Sequence, residues 1–63
     1  MTGDELRRIR RRLGKTQLEL AELLGTHKNT VARWERGERG ISASIARLVA
    51  LTVAEVAKKE EKR

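Results

Sequence analysis

The chain has no cysteine, proline, phenylalanine or tyrosine, and Trp34 is its one aromatic residue. Without cysteine there is neither a disulfide nor a thiolate metal site, and the lone His27 cannot make a metal site by itself. No apolar run approaches the ~20 residues of a membrane span. The N-terminus has no apolar signal-peptide core. Paired acids with a plausible cleft and a glycine-rich phosphate loop are also missing, and Ser42 and Ser44 read as cap and helix-start residues, so catalysis is not expected. Leu, Ala, Arg, Glu and Lys dominate instead, which favours helix. The expectation is a soluble, intracellular, all-α domain with no cofactor and no metal. At 63 residues there is room for one small domain. Such a domain buries only about 60% of the surface that its unfolded chain exposes, so its stability margin is thin.

What the chain does have is positive charge: 15 basic residues against 9 acidic ones, a formal net charge of +6. A basic excess suggests an anionic partner, either nucleic acid or an acidic membrane surface. A merely soluble basic protein would have the same composition, so charge alone does not decide. The positive residues are not confined to one helix beside a large apolar face, as a membrane-surface helix requires. No membrane partner is expected.

Helix signals follow one another along the chain. Thr2-x-x-Glu5 has the form of a capping box, with Asp4 and Glu5 at the positive end of a helix dipole. Leu6, Ile9 and Leu13 then repeat along one stripe, and Gly14 offers a left-handed stop, so a first helix is expected over about 3–13. Thr16-x-x-Glu19 repeats the capping signal. Leu20, Ala21 and Leu24 form the stripe of a second helix that ends at Gly25, while Leu18 and Leu23 add apolar surface that this stripe does not explain. A third helix starts near Thr26 or His27, turns Val31 and Trp34 inward and stops at Gly37. Glu38 to Ile41 reads as a loop. Ser42 is placed to cap a fourth helix with an inner stripe of Ile45, Leu48 and Val49. Beyond Leu51, Thr52-x-x-Glu55 could cap a fifth helix, but no Gly or Pro interrupts residues 43–63, and one continuous helix is the preferred reading. The division expected is a domain over 1–57 and a charged, fraying tail over 58–63.

Thr16 to Gly37 is the most informative stretch: two short amphipathic helices joined by a tight Leu-Gly turn. A helix about 10–12 Å wide fits the major groove of B-DNA, about 12 Å wide. The second of these helices carries Lys28, Asn29, Arg33 and Arg36 away from its apolar side, with small Ala32 between them. Asn can pair bidentately with adenine, and Arg or Lys with guanine. Gln17 stands at a helix start, where backbone N–H groups and the helix dipole attract a phosphate. One at a time, these residues suit an ordinary solvated helix face. Together with the preceding helix and turn, they suit a groove reader.

The segment resembles the helix-turn-helix of the Cro and phage-repressor family, also called the xenobiotic-response-element family. The matching residues are Thr16-Gln17, Leu20-Ala21, Leu24-Gly25, Thr30-Val31 and Arg33-Trp34-Glu35-Arg36-Gly37, and the likeness covers roughly residues 4–51. It implies a compact, lambda-repressor-like bundle of four or five helices, with the third in the major groove and the second across the backbone. On that resemblance Lys28, Asn29 and Arg33 fall at base-reading positions and Gln17 at a phosphate-binding one. Arg36 falls near the backbone, and Thr26 and His27 in the turn, where phosphate or edge contacts occur. Arg39, in the following loop, is a further phosphate or minor-groove candidate. Arg10 shares a helix face with Leu6, Ile9 and Leu13, so it is expected to point partly inward. The resemblance implies that Glu35 is its partner. Arg7, Arg8, Arg11 and Arg12 are placed on the outer side of the first helix, with a general electrostatic role.

The function implied is a sequence-specific DNA-binding transcriptional regulator of bacterial or phage type. It would be a repressor acting as a homodimer on double-stranded DNA in the cytoplasm, nucleoid-associated when bound. Val49, Val53 and Val56 form a stripe that calls for a partner helix, from a second copy, or for packing against the first helix, and so point to a dimer through the fourth helix and C-terminal segment. The alternative is an antitoxin or anti-regulator whose main partner is another protein, held through the fourth helix and Leu18.

Overall fold

The computed structural model of the chain describes residues 1–61, with side chains as far as Lys59. Four helices follow in order: α1 (Gly3–Arg12), α2 (Gln17–Leu24), α3 (Lys28–Glu35) and α4 (Ala43–Glu61). The expected all-α bundle is present in its four-helix form. Among the described residues, no helix is long and apolar enough to cross a membrane.

Each start is set by a short polar side chain. The Thr2 hydroxyl accepts from the Glu5 amide at 3.1 Å, and the Glu5 carboxylate accepts in return from the Thr2 amide. Thr16 and Glu19 form the same reciprocal cap on α2, at 3.1 and 2.9 Å. Hydrogen bonding to the carboxylate, first from the Thr16 backbone amide and then from the Thr16 side chain, holds the Glu19 carboxyl below its usual range. Two donors that a helix start leaves without partners are satisfied in each case. His27 is the cap of α3: its ring Nδ1 accepts from the Asn29 amide at 3.1 Å. Ser42 accepts from Ile45 at the start of α4.

The preferred reading of one continuous helix matches the structure, and among the described residues the alternative fifth helix does not form, because Thr52 bonds backward instead of capping. Its hydroxyl donates to the Leu48 carbonyl at 2.8 Å, a bond made back along the same helix. Residues 43–61 therefore run on as α4. The last two residues of the tail expected over 58–63 lie outside the described residues.

The core is small: Leu6 from α1, Leu20, Ala21 and Leu24 from α2, Val31 and Trp34 from α3, and Val49 from α4. Ile9, Ile41, Ile45 and Val53 pack around it. Two expectations for α4 change. Leu48, expected in the inner stripe, is 37% exposed, whereas Val49 is fully buried. Adjacent helical positions are ~100° apart, and the flank through Ile45, Val49, Val53 and Val56 is the one turned inward, so Leu48 is left on the border. The valine stripe is thus covered in large part by its own chain. The exposed apolar surface lies instead at Leu48 and Leu51 of α4 and Leu23 of α2.

Candidate nucleic-acid interface

The turn between α2 and α3 comes from a backbone conformation that only glycine adopts readily. Gly25 has φ of 71°, and around it the Gly25 amide bonds to the Glu22 carbonyl and the Thr26 amide to the Ala21 carbonyl. This pair of bonds closes α2 and reverses the chain within three residues. α3 closes in the same way after Arg36, through Gly37 to Trp34 and Glu38 to Arg33.

α3 is sharply two-sided. Val31, Trp34 and Glu35 are buried, while Lys28, Asn29, Arg33 and Arg36 are exposed. At 3.6 residues per turn, Asn29, Arg33 and Arg36 lie along one line opposite the buried flank. Ala32 and Thr30 beside them are partly covered and short. The rod therefore presents two or three long polar groups over a smooth surface, the shape that a major groove accepts. The pair of positions on which the reading depends, Asn29 and Arg33, is neither turned inward nor capped by another segment.

What holds this rod in place is a buried ionic network around Glu35, whose side chain has no solvent exposure. Arg10 grips it bidentately, from Nε to Oε2 at 2.6 Å and from the second terminal nitrogen to Oε1 at 3.0 Å. The other terminal nitrogen of Arg10 donates to the Lys15 carbonyl at 3.0 Å. Gln17 Nε2 donates to Glu35 Oε1 at 3.2 Å, and Arg7 Nε reaches the same oxygen at 3.4 Å. One carboxylate thus ties α1, the α1–α2 link, α2 and α3 together. Burial alone would raise its pKa. The hydrogen bonds from Arg10 and Gln17, the Arg10 charge and the Arg7 contact outweigh that and hold it below the usual glutamate range. The bond to Glu35 raises the Arg10 guanidinium still further, against the effect of its own partial burial. Among the described residues no buried side-chain polar atom lacks a partner, the condition under which a buried charge is tolerated.

One residue of α1 sits differently from its expected place. Arg7, placed on the outer side of the first helix, reaches inward to Glu35. Gln17, expected at a phosphate-binding position at the start of α2, also donates to Glu35. Of the two residues near which the third helix is expected to start, Thr26 and His27, it is His27 that caps it. Arg36 is already paired, its Nε 2.6 Å from the Glu38 carboxylate at the surface. Arg39 borders a depression of about 350 Å³ with Thr26, Thr30, Trp34, Gly40 and Ser42, beside the start of α3. Gly3 went unremarked in the sequence: a Cβ there would fall on the Trp34 carbonyl oxygen and lie 2.8 Å from that of Glu35. Only a bare glycine lets the start of α1 sit against the end of α3. No local signal separates such a glycine from a helix-start residue, since the contact spans more than thirty positions.

Two short helices, a glycine turn and an exposed polar flank on the second define a helix-turn-helix DNA-binding domain. The chain belongs to the Cro/C1-type helix-turn-helix family, whose profile matches residues 6–52. It is similar to the "Putative HTH-type transcriptional regulatory protein" of Pyrococcus furiosus, with 41% identity over 44 residues. That match takes in 70% of this chain but 14% of the relative, so the chain spans about a seventh of the relative's length. No solved structure matches at a comparable level of significance.

Proposed function

We propose that the chain is the DNA-reading part of a sequence-specific transcriptional repressor that binds as a two-fold dimer. The observation that carries this reading is the anchored, two-sided α3: Glu35, Val31 and Trp34 fix one flank, while the other holds Asn29 and Arg33 in solvent. In this reading Asn29, Arg33 and Lys28 contact base edges. Gln17, Thr26, His27, Arg36 and Arg39 contact phosphates. Repression follows from occupying a promoter.

The dimer reading rests on the groove between α2 and α4. Leu23, Leu48 and Leu51 line it, with Thr52, Ala54, Glu55 and Lys58, over about 460 Å³. Leu51 and Leu23 are 58% and 45% exposed, costly surface for a protein this size unless something covers it. A second copy placed by two-fold symmetry sets two α3 helices about one DNA turn apart, ~34 Å. The same groove favours the second reading, an antitoxin or anti-regulator whose partner is another protein.

Selection of bound sequences from random duplex DNA at several salt concentrations tests the proposal. The expected result is a pseudo-palindromic motif that persists as salt rises, while phosphate-driven affinity falls. Recovery of no enriched motif would overturn the sequence-specific reading. A stoichiometric protein partner together with weak motif binding would favour the second.

A further inference from the structure

Half of α1 is arginine, and the five side chains divide by face. Arg7 and Arg10 reach inward to Glu35. Arg8, Arg11 and Arg12 are exposed on the opposite side and, among the described residues, make no ion pair. They stand at i, i+3 and i+4, so three guanidinium groups share one turn at the spacing where like charges disfavour a helix. The acids of α1 do not relieve them. Glu5 is committed to the cap with Thr2. Asp4 borders the same shallow depression as Arg7, Arg8 and Arg11, yet pairs with none of them.

The side of α1 that meets α3 holds Gly3, Leu6 and Arg10; the side of α3 that meets α1 holds Trp34 and Glu35. The outward directions of the two helices therefore diverge. A duplex seated on Asn29 and Arg33 is taken to leave the three arginines free. The basic positions of α1 are all arginine, whose planar fork matches a phosphate bidentately and is weakly hydrated. Three such forks within one helical turn suit a line of closely spaced phosphates, as on a nucleic-acid strand.

We propose that the Arg8–Arg11–Arg12 face of α1 is a second phosphate-backbone contact. It takes another duplex segment while α3 holds its site, so that one copy bridges two stretches of DNA. The proposal rests on the reading of α3 as the first DNA contact. The second contact, being to phosphates, is sequence-independent.

The test is a bridging assay. A full two-fold site duplex obtained by selection is immobilised, protein is added, and retention of a fluorescent random-sequence duplex is measured. Wild type retains the second duplex. The Arg8→Gln/Arg11→Gln/Arg12→Gln variant still occupies the immobilised site but retains at least about tenfold less second duplex, and the log–log salt slope of retention falls by about 3. Arg11→Glu alone, checked by its melting curve, provides a milder version if the triple variant folds poorly. The Arg8→Lys/Arg11→Lys/Arg12→Lys variant, which keeps the charge, recovers most of the retention. Unchanged retention by the glutamine variant overturns the proposal. Equal loss of site occupancy and retention also overturns it, by merging this face with that of α3. So does arginine-dependent retention of single-stranded RNA or polyglutamate in place of duplex. Failure of the α3 reading shows separately, as an Asn29→Ala/Arg33→Ala variant that keeps its preference for the selected site.

Discussion

Glu35 concentrates more of the fold's constraints than any other side chain, because four hydrogen bonds from three side chains on two other helices converge on one carboxylate. Removing it leaves Arg10 buried without its counter-charge, and breaking a buried pair costs ~3–5 kcal/mol. That is comparable to the whole stability of a domain this small, at ~0.05–0.15 kcal/mol per residue. Glu35→Ala is therefore expected to be largely unfolded at room temperature, as circular dichroism would show. The lowered Glu35 pKa also sets a pH dependence. A carboxyl depressed in the folded state adds stability that is complete above the unfolded value of ~4.3 and is lost as pH falls through the folded value. The urea midpoint of the wild type should hold steady from neutrality to about pH 5 and then fall on acidification. Glu35→Gln should start lower and lose that part of the slope, leaving the contribution of Glu19, which has the same sign. Gly3 is the second sensitive residue. Gly3→Ala drives a methyl into the α3 carbonyls, and the forced shift should cost about 1–3 kcal/mol, visible as a lower melting temperature although alanine is the better helix former.

The helices divide into what local pattern reveals and what only distant packing decides. The starts of α1, α2 and α4 follow from Thr2, Thr16 and Ser42, and the stops from Gly14, Gly25 and Gly37, because capping and left-handed turns act within a few residues. The two-sidedness of α3 was legible for the same reason: Val31 and Trp34 fix a face, and 3.6 periodicity places Asn29 and Arg33 opposite. The inward reach of Arg7, the hydrogen bond from Gln17 to Glu35 and the fit of Gly3 against Trp34 were not, since each depends on a neighbour far along the chain. Leu48 was misplaced because a stripe of alternating apolar residues leaves its border position undetermined until the packing partner is known. At this scale, Asn29→Ala or Arg33→Ala should weaken binding to the selected site by about 1–3 kcal/mol and relax preference at one base position. Melting should be unchanged, because neither side chain packs in the core. Gel-shift titrations against single-base site variants, with parallel thermal melts, would reveal any departure.

At the scale of the whole molecule, α4 reaches beyond the other three helices, which gives the chain an elongated outline of 38 × 21 × 19 Å. Its outer apolar residues and Leu23 are the surface on which the proposed dimer depends. Leu51→Glu should leave the monomer fold intact, given its 58% exposure, while shifting sedimentation toward the single chain and weakening binding to a two-fold site more than to an isolated half-site. Unaltered sedimentation with unaltered site affinity would remove α4 from the assembly. The lone indole gives this domain an internal gauge. Trp34 is buried on the inner flank of α3, with no tyrosine or second tryptophan to blur its emission. A red shift in fluorescence therefore reports that flank coming away from the core, and any state that loosens the seat of α3 announces itself optically before the polypeptide has melted.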